Sequence, residues 1–217
     1  LQISKSIDGG KNWETIFSSN SNHANFIAPF VIAPSNNDIL YAGAKRIYKS
    51  INGGNNWNAQ NILNGTTISC IGVSYTSADT LIVATGNSRS PVFEIFSSTN
   101  GGTTWIKSNS PIPNRYPTDI AFDPTNSSVA YITFSGYGTS HVYKTTDAGL
   151  TWNDISGNLP DIPTQSIVVD KYSPTSIYVG TDGADQIYGI QFDRNGFPYI
   201  MGTTTSNAWP IINAPYN

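Results

Sequence analysis

The amino-acid sequence predicts an all-β protein built from a repeated unit of four short strands. Three observations support this fold class. One eight-residue pattern that ends in tryptophan occurs four times along the 217 residues, at a nearly constant spacing. Short apolar runs bounded by polar turns fill the intervals between the copies. No stretch shows the apolar period that an amphipathic helix of any length would need.

The repeated pattern has Ser or Thr first, Asp or Asn third, Gly fifth and Trp eighth. Its copies are residues 6–13, 50–57, 98–105 and 145–152. The third positions of successive copies are 44, 48 and 47 residues apart. A period of about 40–50 residues matches one four-stranded blade of a β-propeller. The sequence therefore predicts antiparallel blades that share one type of hairpin.

The chemistry of the pattern is that of a hairpin tip. A short Asp or Asn side chain accepts hydrogen bonds from turn amides, and the Gly two positions later adopts a positive φ without steric cost. The Trp three positions further on offers a large apolar surface that holds the hairpin to its blade. We interpret these residues as structural. They are Asp8, Gly10, Trp13, Asn52, Gly54, Trp57, Asn100, Gly102, Trp105, Asp147, Gly149 and Trp152.

Each interval between two patterns contains strands in the same order. One strand follows each Trp, and an apolar strand comes next, at residues 30–33, 71–74, 120–123 and 167–170. A further strand follows a polar turn, at residues 39–43, 81–85, 129–133 and 177–180. The next strand leads into the following pattern, as at residues 46–50 and 141–145. The sequence thus opens at the third strand of a blade.

The four patterns closely resemble the Asp-box, also called the BNR repeat, whose consensus is Ser/Thr-x-Asp-x-Gly-x-Thr-Trp. This repeat occurs in sialidases, xyloglucan-cleaving propellers, sortilin-type receptors and many bacterial surface proteins, so the resemblance implies a β-propeller. It covers residues 1 to about 184. Two copies carry Asn52 and Asn100 in place of Asp, and the fourth has Ala148 where the others have Gly. These substitutions fit a hairpin and do not favour a metal site.

The C-terminal segment differs from the repeats. Residues 185–217 lack a fifth Asp-box and resemble the β-propeller repeat of large secreted proteins of Bacteroidota. We therefore predict about four Asp-box blades over residues 1–184 and a boxless half-blade or cap over residues 185–217, in one domain. Two arrangements are open. Residues 1–17 pair with residues 165–180 and close a ring, or the chain is a slice of a longer propeller, which we favour.

Composition limits the classes of function. Only 12% of the residues are charged, against about 25% in ordinary soluble domains. The chain has 25 Ser, 22 Thr and 23 Asn, so we expect hydroxyl and amide groups to hydrate its surface in place of charges. A net charge of −3 argues against nucleic acid as a partner. No apolar run reaches the ~18 residues that cross a bilayer. We expect a secreted or cell-surface protein that is a segment of a larger one.

No cofactor or metal site is predicted. His23 and His141 lie far apart, without Cys or carboxylates at ligand spacing. The acidic segment 182–185 has oxygen ligands but does not match a calcium-binding loop, and we interpret it as a turn. The one cysteine, Cys70, lies in an apolar stretch and is predicted to be a buried, unreactive thiol.

Glycoside cleavage is the enzymatic function to consider, since some Asp-box propellers are glycosidases with a pair of placed carboxylates. None of the four arginines has the sequence context found in sialidases. Asp119 is the candidate catalytic acid, because it lies at the start of an apolar strand where the other repeats carry Pro, Cys and Ser. Its other interpretation is a turn cap. No second acid holds a comparable position, so we favour a binding protein over an enzyme.

Binding accounts better for the positions at which the repeats differ. Tyr and Trp in loops offer broad amphipathic faces to glycans and proteins. The candidate binding residues are Arg89, Arg115, Tyr116, Tyr137 and Trp209. We predict a non-catalytic propeller module of an exported bacterial surface protein, which binds glycan or protein in adhesion or as a scaffold. The alternatives are a xyloglucanase-like glycoside hydrolase, or a fragment of one, and an assembly factor for membrane complexes.

Overall fold

The computed structural model of the chain describes residues 1–19, 24–63, 65–87, 90–182, 185–192 and 198–204. All regular secondary structure within these residues is β-strand, which confirms the predicted all-β class. Strands β1 (Gln2–Lys5) and β2 (Glu14–Ser18) form a two-stranded sheet that flanks the first copy of the repeated eight-residue pattern, and each copy is here called an Asp-box after the repeat that it resembles. By their position around the box, they are the third and fourth strands of a blade.

Three complete four-stranded blades follow, and every strand pair in them is antiparallel. The first contains β3 (Phe30–Ile32), β4 (Leu40–Gly43), β5 (Arg46–Ser50) and β6 (Asn58–Ile62). The second contains β7 (Ile68–Val73), β8 (Leu81–Asn87), β9 (Ser90–Ser98) and β10 (Ile106–Lys107). The third contains β11 (Pro117–Phe122), β12 (Ala130–Phe134), β13 (Val142–Thr145) and β14 (Asn153–Asp154).

Two further strand pairs complete the described part of the chain. They are β15 (Thr164–Val169) with β16 (Ile177–Thr181), and β17 (Asp185–Phe192) with β18 (Pro198–Thr204). A register shift follows the first residue of β7, β11 and β15, and one interrupts β17 between Ile187 and Gly189. Since β15 follows the fourth strand of the third blade, β15–β16 contains the first and second strands of another blade. β17 packs against β15 and β16 as β15 packs against β11 and β12, so β17–β18 begins the next unit.

Apolar side chains fill the spaces between neighbouring blades. Ile47, Ile68 and Leu81 belong to the buried cluster between the first and second blades. Phe122, Ile132 and Phe134 belong to the cluster between the second and third. A Cβ atom added at Gly72 of β7 would contact Cγ2 of Ile120 in β11. The first strands of these two blades therefore approach so closely that only glycine fits at position 72.

The antiparallel strands give the molecule two faces. The Asp-box loops and the turns between first and second strands lie on one of them, here named the box face. Backbone hydrogen bonds join these segments. Gly53 N donates to Asp38 O and Gly101 N donates to Asp79 O, both at 2.9 Å. The opposite side, here named the loop face, contains the segments that lead from one blade to the next and the loops between second and third strands.

Neither predicted arrangement of the chain ends is tested directly by these contacts. Within the described residues, β1 pairs with β2 and β15 pairs with β16, and no pairing joins residues 1–17 to residues 165–180. The number of blades in the whole domain stays a prediction.

Candidate binding site on the loop face

The first Asp-box forms a loop held by hydrogen bonds among its own residues. Ser6 Oγ donates to Asp8 Oδ1 and accepts the amide of Gly10, both at 2.8 Å. Asp8 Oδ1 also accepts the amide of Asn12 at 2.9 Å, and Trp13 Nε1 donates to Gly10 O at 3.2 Å. The amide of Asn12 is the main reason that the pKa of Asp8 falls to about 2. These bonds connect residues of the loop to one another.

The other three loops repeat these contacts. The hydroxyl-to-Oδ1 bonds of Ser50 with Asn52, Ser98 with Asn100 and Thr145 with Asp147 measure 3.1, 2.9 and 2.8 Å. Trp57 and Trp152 donate to the carbonyl of their own glycine at 3.0 and 3.2 Å. Trp105 Nε1 is buried without a hydrogen-bond partner in the part of the chain described. The loop therefore forms with Asn as well as with Asp and does not depend on the charge.

Each of the last three boxes packs against the blade before its own. A side chain at Gly54 would contact Ile16 of β2, one at Gly102 would approach Gln60 of β6, and one at Gly149 would approach Ile82 of β8. The first box has no such blade before it among the described residues. Its Trp13 is accordingly 67% exposed, whereas Trp152 of the fourth box is 5% exposed.

Asp119, the candidate catalytic acid, connects two blades. Its Oδ1 accepts the amide of Ile120 at 2.8 Å, and its Oδ2 accepts the amide of Ile167 in β15 at 3.0 Å. Thr118 Oγ1 adds a second link, because it donates to Thr164 O at 2.8 Å. Burial raises the pKa of Asp119, and the two amides oppose that change. Oδ2 therefore links the third blade to β15 and Oδ1 accepts an amide of its own strand, while a catalytic role stays a prediction.

A polar network at the start of the inner strands joins three blades. Asn25 Nδ2 lies 3.0 Å from Ile68 O, 3.0 Å from Gly86 O and 3.2 Å from the hydroxyl of Tyr116. Asn25 Oδ1 accepts the hydroxyl of Thr67 at 2.8 Å. The predicted binding residue Tyr116 is thus partly engaged inside the protein. Sequence reasoning missed Asn25, since nothing in its polar surroundings distinguishes it from other loop asparagines.

Cys70 lies in the same region and is buried. Its thiol is free of any disulfide, and burial raises its pKa, with a smaller contribution from the Asp119 carboxylate. A thiol in such surroundings is not ionised and is a poor nucleophile. Cys70 therefore packs as a small apolar residue.

Arg115 and Tyr137, both predicted binding residues, lie together on the loop face. The Arg115 guanidinium donates to Asn114 O at 3.0 Å and to Tyr137 O at 3.1 Å. Its aliphatic part lies against Gly136, where a Cβ atom would come within 2.7 Å of Cδ. These contacts leave the Tyr137 ring 62% exposed. The arginine thus holds the loop backbone from which an aromatic ring projects into solvent.

Asp161 holds the same loop from the other side. Both of its carboxylate oxygens accept the amide of Gly138 at 2.8 Å, and Oδ1 lies 3.1 Å from Nε2 of the buried His141. The Gly138 amide is the main reason that the pKa of Asp161 is lowered. Sequence reasoning did not single out Asp161, because its partners lie in a loop about twenty residues earlier. The 135–141 loop is therefore fixed at both flanks.

A cleft of about 370 Å³ lies between the β9–β10 hairpin and the segment that leads to β11, and its lining ends at Asn114, the residue before Arg115. Phe93 and Ile112 give it apolar walls, and Asn114 adds an amide. Glu94 and Lys107 form an ion pair at the same cleft. The Phe93 ring meets the Tyr116 ring edge to face, with centroids 6.2 Å apart. Aromatic and amide groups of this kind suit a neutral, hydroxyl-rich ligand.

Two predicted binding residues, Arg89 and Trp209, lie outside the described residues. The described ranges contain no group of three or more His, Cys, Asp or Glu that could hold a metal ion. They also contain no helix long and apolar enough to cross a membrane.

The chain resembles a xyloglucanase in sequence. No protein-family model matches it. Over 156 residues it is 27% identical to a xyloglucanase of Hypocrea jecorina, a match that covers 70% of this chain and 18% of that enzyme. The chain thus spans less than a fifth of the length of the curated relative that it matches.

Solved structures extend the resemblance to the fold. A GH74 xyloglucanase from Xanthomonas campestris superposes with a TM-score of 0.64 at 15% identity, covering 83% of this chain and 34% of that one. A GH74 enzyme from Niastella koreensis gives 0.61 at 21% identity, covering 84% and 30%. YCF48 from Cyanidioschyzon merolae gives 0.64 at 14% identity, covering 94% and 72%. The fold is that of a β-propeller, as predicted. The sequence similarity within that class is to a xyloglucanase.

Proposed function

We propose that the loop face of this propeller binds a polysaccharide with a β-linked glucan backbone and does not hydrolyse it. The observation that carries the proposal is the exposed Tyr137 ring, whose loop is held by Arg115 and Asp161. A rigid aromatic ring that projects from a fixed loop offers a flat apolar surface to a sugar ring at small entropic cost. The similarity to a xyloglucanase makes xyloglucan the first ligand to test.

The polar groups near the Tyr137 ring also suit a polysaccharide ligand. Sugars are neutral and rich in hydroxyls, so they are recognised by amides, hydroxyls and aromatic faces rather than by dense charge. Asn114 and the Phe93 wall of the neighbouring cleft supply such groups. Only 12% of all residues are charged, which is consistent with a neutral ligand. The secreted or cell-surface location remains part of the proposal.

The carboxylates of the loop face argue against hydrolysis. Cleavage needs two carboxylates about 5–10 Å apart that can reach the glycosidic bond. Asp119 accepts two backbone amides, Asp161 is bonded to Gly138 and His141, and Glu94 is paired with Lys107. Each of these acids already holds part of the protein in place.

A part of a glycoside hydrolase is the second candidate, favoured by the 27% identity to a xyloglucanase. In that case Asp119 and Asp182 are the acids to consider. Asp182 directly follows β16, its Oδ2 accepts Gln165 Nε2 at 3.0 Å, and its Oδ1 is buried. Release of reducing ends from xyloglucan by the purified chain, lost in Asp119→Ala, would establish this candidate and overturn the first.

Binding is tested with a matched pair of tyrosines. Tyr137 on the loop face and Tyr172 on the box face are each 62% exposed. We expect Tyr137→Ala to weaken xyloglucan binding about tenfold, or ~1.4 kcal/mol, in titration calorimetry. Tyr172→Ala should bind as the wild type does. Equal losses in both variants, or no binding by the wild type to xyloglucan or any other β-glucan, would refute the proposal.

A further inference from the structure

His141 is buried at the base of the loop that carries Tyr137, and only 2% of its side chain is exposed. Its backbone amide donates to Ser156 Oγ at 2.9 Å, and its ring lies between two oxygens. Nδ1 lies 3.3 Å from Phe134 O, and Nε2 lies 3.1 Å from Oδ1 of Asp161. One oxygen belongs to a carbonyl and the other to a carboxylate. Both ring nitrogens therefore face hydrogen-bond acceptors.

Two carboxylates surround this ring, and both are ionised near neutral pH. The Gly138 amide lowers the pKa of Asp161 most, and the His141 ring lowers it further. Burial opposes the change at Asp154, yet the Ser140 hydroxyl, which donates at 2.6 Å, brings its pKa below the ordinary value. The charge of His141 also contributes to the lowering at Asp154. Because both pKa values lie below 3.8, both groups are anions from about pH 5 to pH 8.

Two other titratable groups of this region keep their charge state over the same range. Burial raises the pKa of Tyr143 above its ordinary 10.0, so its hydroxyl stays neutral. Arg115 remains a cation, as arginine does in proteins. Imidazole is the side chain whose charge ordinarily changes between about pH 5 and pH 8. His141 is therefore the group of this region to consider as a source of pH dependence.

The number of protons on the ring decides how many of the two oxygens receive a hydrogen bond. An imidazolium donates from both nitrogens, whereas a neutral imidazole donates from one and has a lone pair on the other. At His141 that lone pair would face either the Phe134 carbonyl or the Asp161 carboxylate. Loss of the proton thus removes one hydrogen bond and opposes two electron-rich atoms.

Asp161 connects the ring to the loop. The Oδ1 atom that faces His141 also accepts the Gly138 amide at 2.8 Å, and Oδ2 accepts the same amide at 2.8 Å. Gly138 directly follows Tyr137, whose carbonyl is held on the other flank by Arg115 at 3.1 Å. Displacement of the carboxylate from a neutral ring would weaken its bond to Gly138. Tyr137 would then be held from one side only.

We propose that His141 is a positioning residue which, in its cationic form, holds the 135–141 loop and thereby the Tyr137 ring in place for a ligand. The cation is present at low pH and is lost as the pH rises, so the loop is held more firmly at pH 5 than at pH 8. The effect on ligand affinity rests on the proposed glycan binding. The effect on the loop does not.

Hydrogen exchange tests the loop without a ligand. The Gly138 amide donates to Asp161, so its protection factor measures how firmly the loop is held. We expect this factor, which is already corrected for the intrinsic pH dependence of exchange, to fall about two- to tenfold from pH 5 to pH 8, the worth of one hydrogen bond. The Gly101 amide, which donates to Asp79 O on the box face, should keep its protection.

Asp161→Asn is the matched variant, because replacement of the buried His141 itself would also disturb packing. The oxygen of the new amide can accept the Gly138 amide, and its nitrogen can donate to neutral Nε2 while Nδ1 donates to Phe134 O. The variant should therefore lack the fall in Gly138 protection between pH 5 and pH 8. His23→Gln changes the other histidine of the chain and should retain the fall.

Xyloglucan affinity, measured by titration calorimetry at both pH values, should fall by a similar factor in the wild type and not in Asp161→Asn. Gly138 protection that is independent of pH, or that falls equally in Asp161→Asn, overturns the inference. Constant affinity beside a fall in protection overturns its link to the ligand. If protection falls as expected but no β-glucan binds at either pH, the role of His141 in holding the loop is supported and the proposed glycan binding is overturned.

Discussion

At the scale of single residues, Asp119 shows how a position that breaks a repeat becomes a structural link. The other inner strands carry Pro, Cys and Ser there, and only Asp provides two oxygens that reach Ile120 N and Ile167 N. Asp119→Ala leaves both amides without this partner, and we expect unfolding free energy to fall by about 2–3 kcal/mol. Asp119→Asn keeps one acceptor and should lose about 1 kcal/mol. Urea denaturation measures both values, and equal stability of Asp119→Ala and wild type would contradict this role.

The same carboxyl makes stability depend on pH in a defined direction. Burial raises the pKa of Asp119 above its ordinary 3.8, so folding favours the protonated form. Its contribution to unfolding free energy is therefore largest below pH 3.8 and declines as the pH rises through the raised pKa. Asp119→Asn does not titrate. The stability difference between wild type and Asp119→Asn should accordingly shrink as the pH rises across this window, and growth of the difference would contradict the direction.

The structural role of a residue could be predicted only where a local sequence pattern or the alignment of the repeats reveals it. Asp119 was detectable because the repeats can be aligned and it departs from them. Asn25 was not, because its partners Gly86 and Tyr116 lie 61 and 91 positions away. Asp161 was missed for the same reason, since its role depends on a neighbouring loop that comes close only after folding. Hydrogen bonds between distant segments leave no pattern in a single sequence.

At the scale of the hairpin, the fourth Asp-box has an alanine at a left-handed position where the other three have glycine. Ala148 adopts a φ of 58°, whereas Gly9, Gly53 and Gly101 occupy the same place with φ of 72°, 65° and 68°. Left-handed backbone costs a residue with a Cβ atom about 1–2 kcal/mol, partly offset by the greater freedom of glycine when unfolded. We expect Ala148→Gly to raise unfolding free energy by about 0.5–1 kcal/mol, as measured by thermal or urea unfolding.

Gly101→Ala is the matched reverse change. Besides the left-handed φ of 68°, its new Cβ atom would meet Lys49 Nζ and Asp79 Oδ1. We expect a loss of about 2 kcal/mol, because strain and a steric conflict combine. Opposite signs for the two variants would show that backbone conformation governs this position of the box. A destabilised Ala148→Gly would show that the methyl group makes contacts worth more than the strain.

At the scale of the whole molecule, the sequence predicted the blade but not the junctions between blades. The blade follows from turn chemistry, strand length and a fixed period, all of which lie within about 45 residues. The junctions depend on close approaches such as that of Gly72 to Ile120, and on hydrogen bonds between blades such as that from Ile167 N to Asp119 Oδ2. The 182–185 segment was predicted as a turn, and its residues 183 and 184 lie outside the described residues. How neighbouring blades meet is thus a property of the folded chain.

Because each blade contacts mainly its neighbours, cooperative unfolding should depend on the contacts between blades, as it does in repeat proteins. Gly72→Ala places a methyl group against Ile120 Cγ2, with Ile120 O at 3.2 Å, and so separates the first strands of the second and third blades. We expect a loss of about 1–3 kcal/mol and two separated urea transitions, one of them reported by the fluorescence of Trp152 in the third blade.

Gly138→Ala is the control, since it strains a φ of 71° where no atom lies within 4 Å. It should lower stability with a single transition. Coincident transitions in Gly72→Ala would mean that the second and third blades are coupled mainly through other contacts, such as those of Asn25.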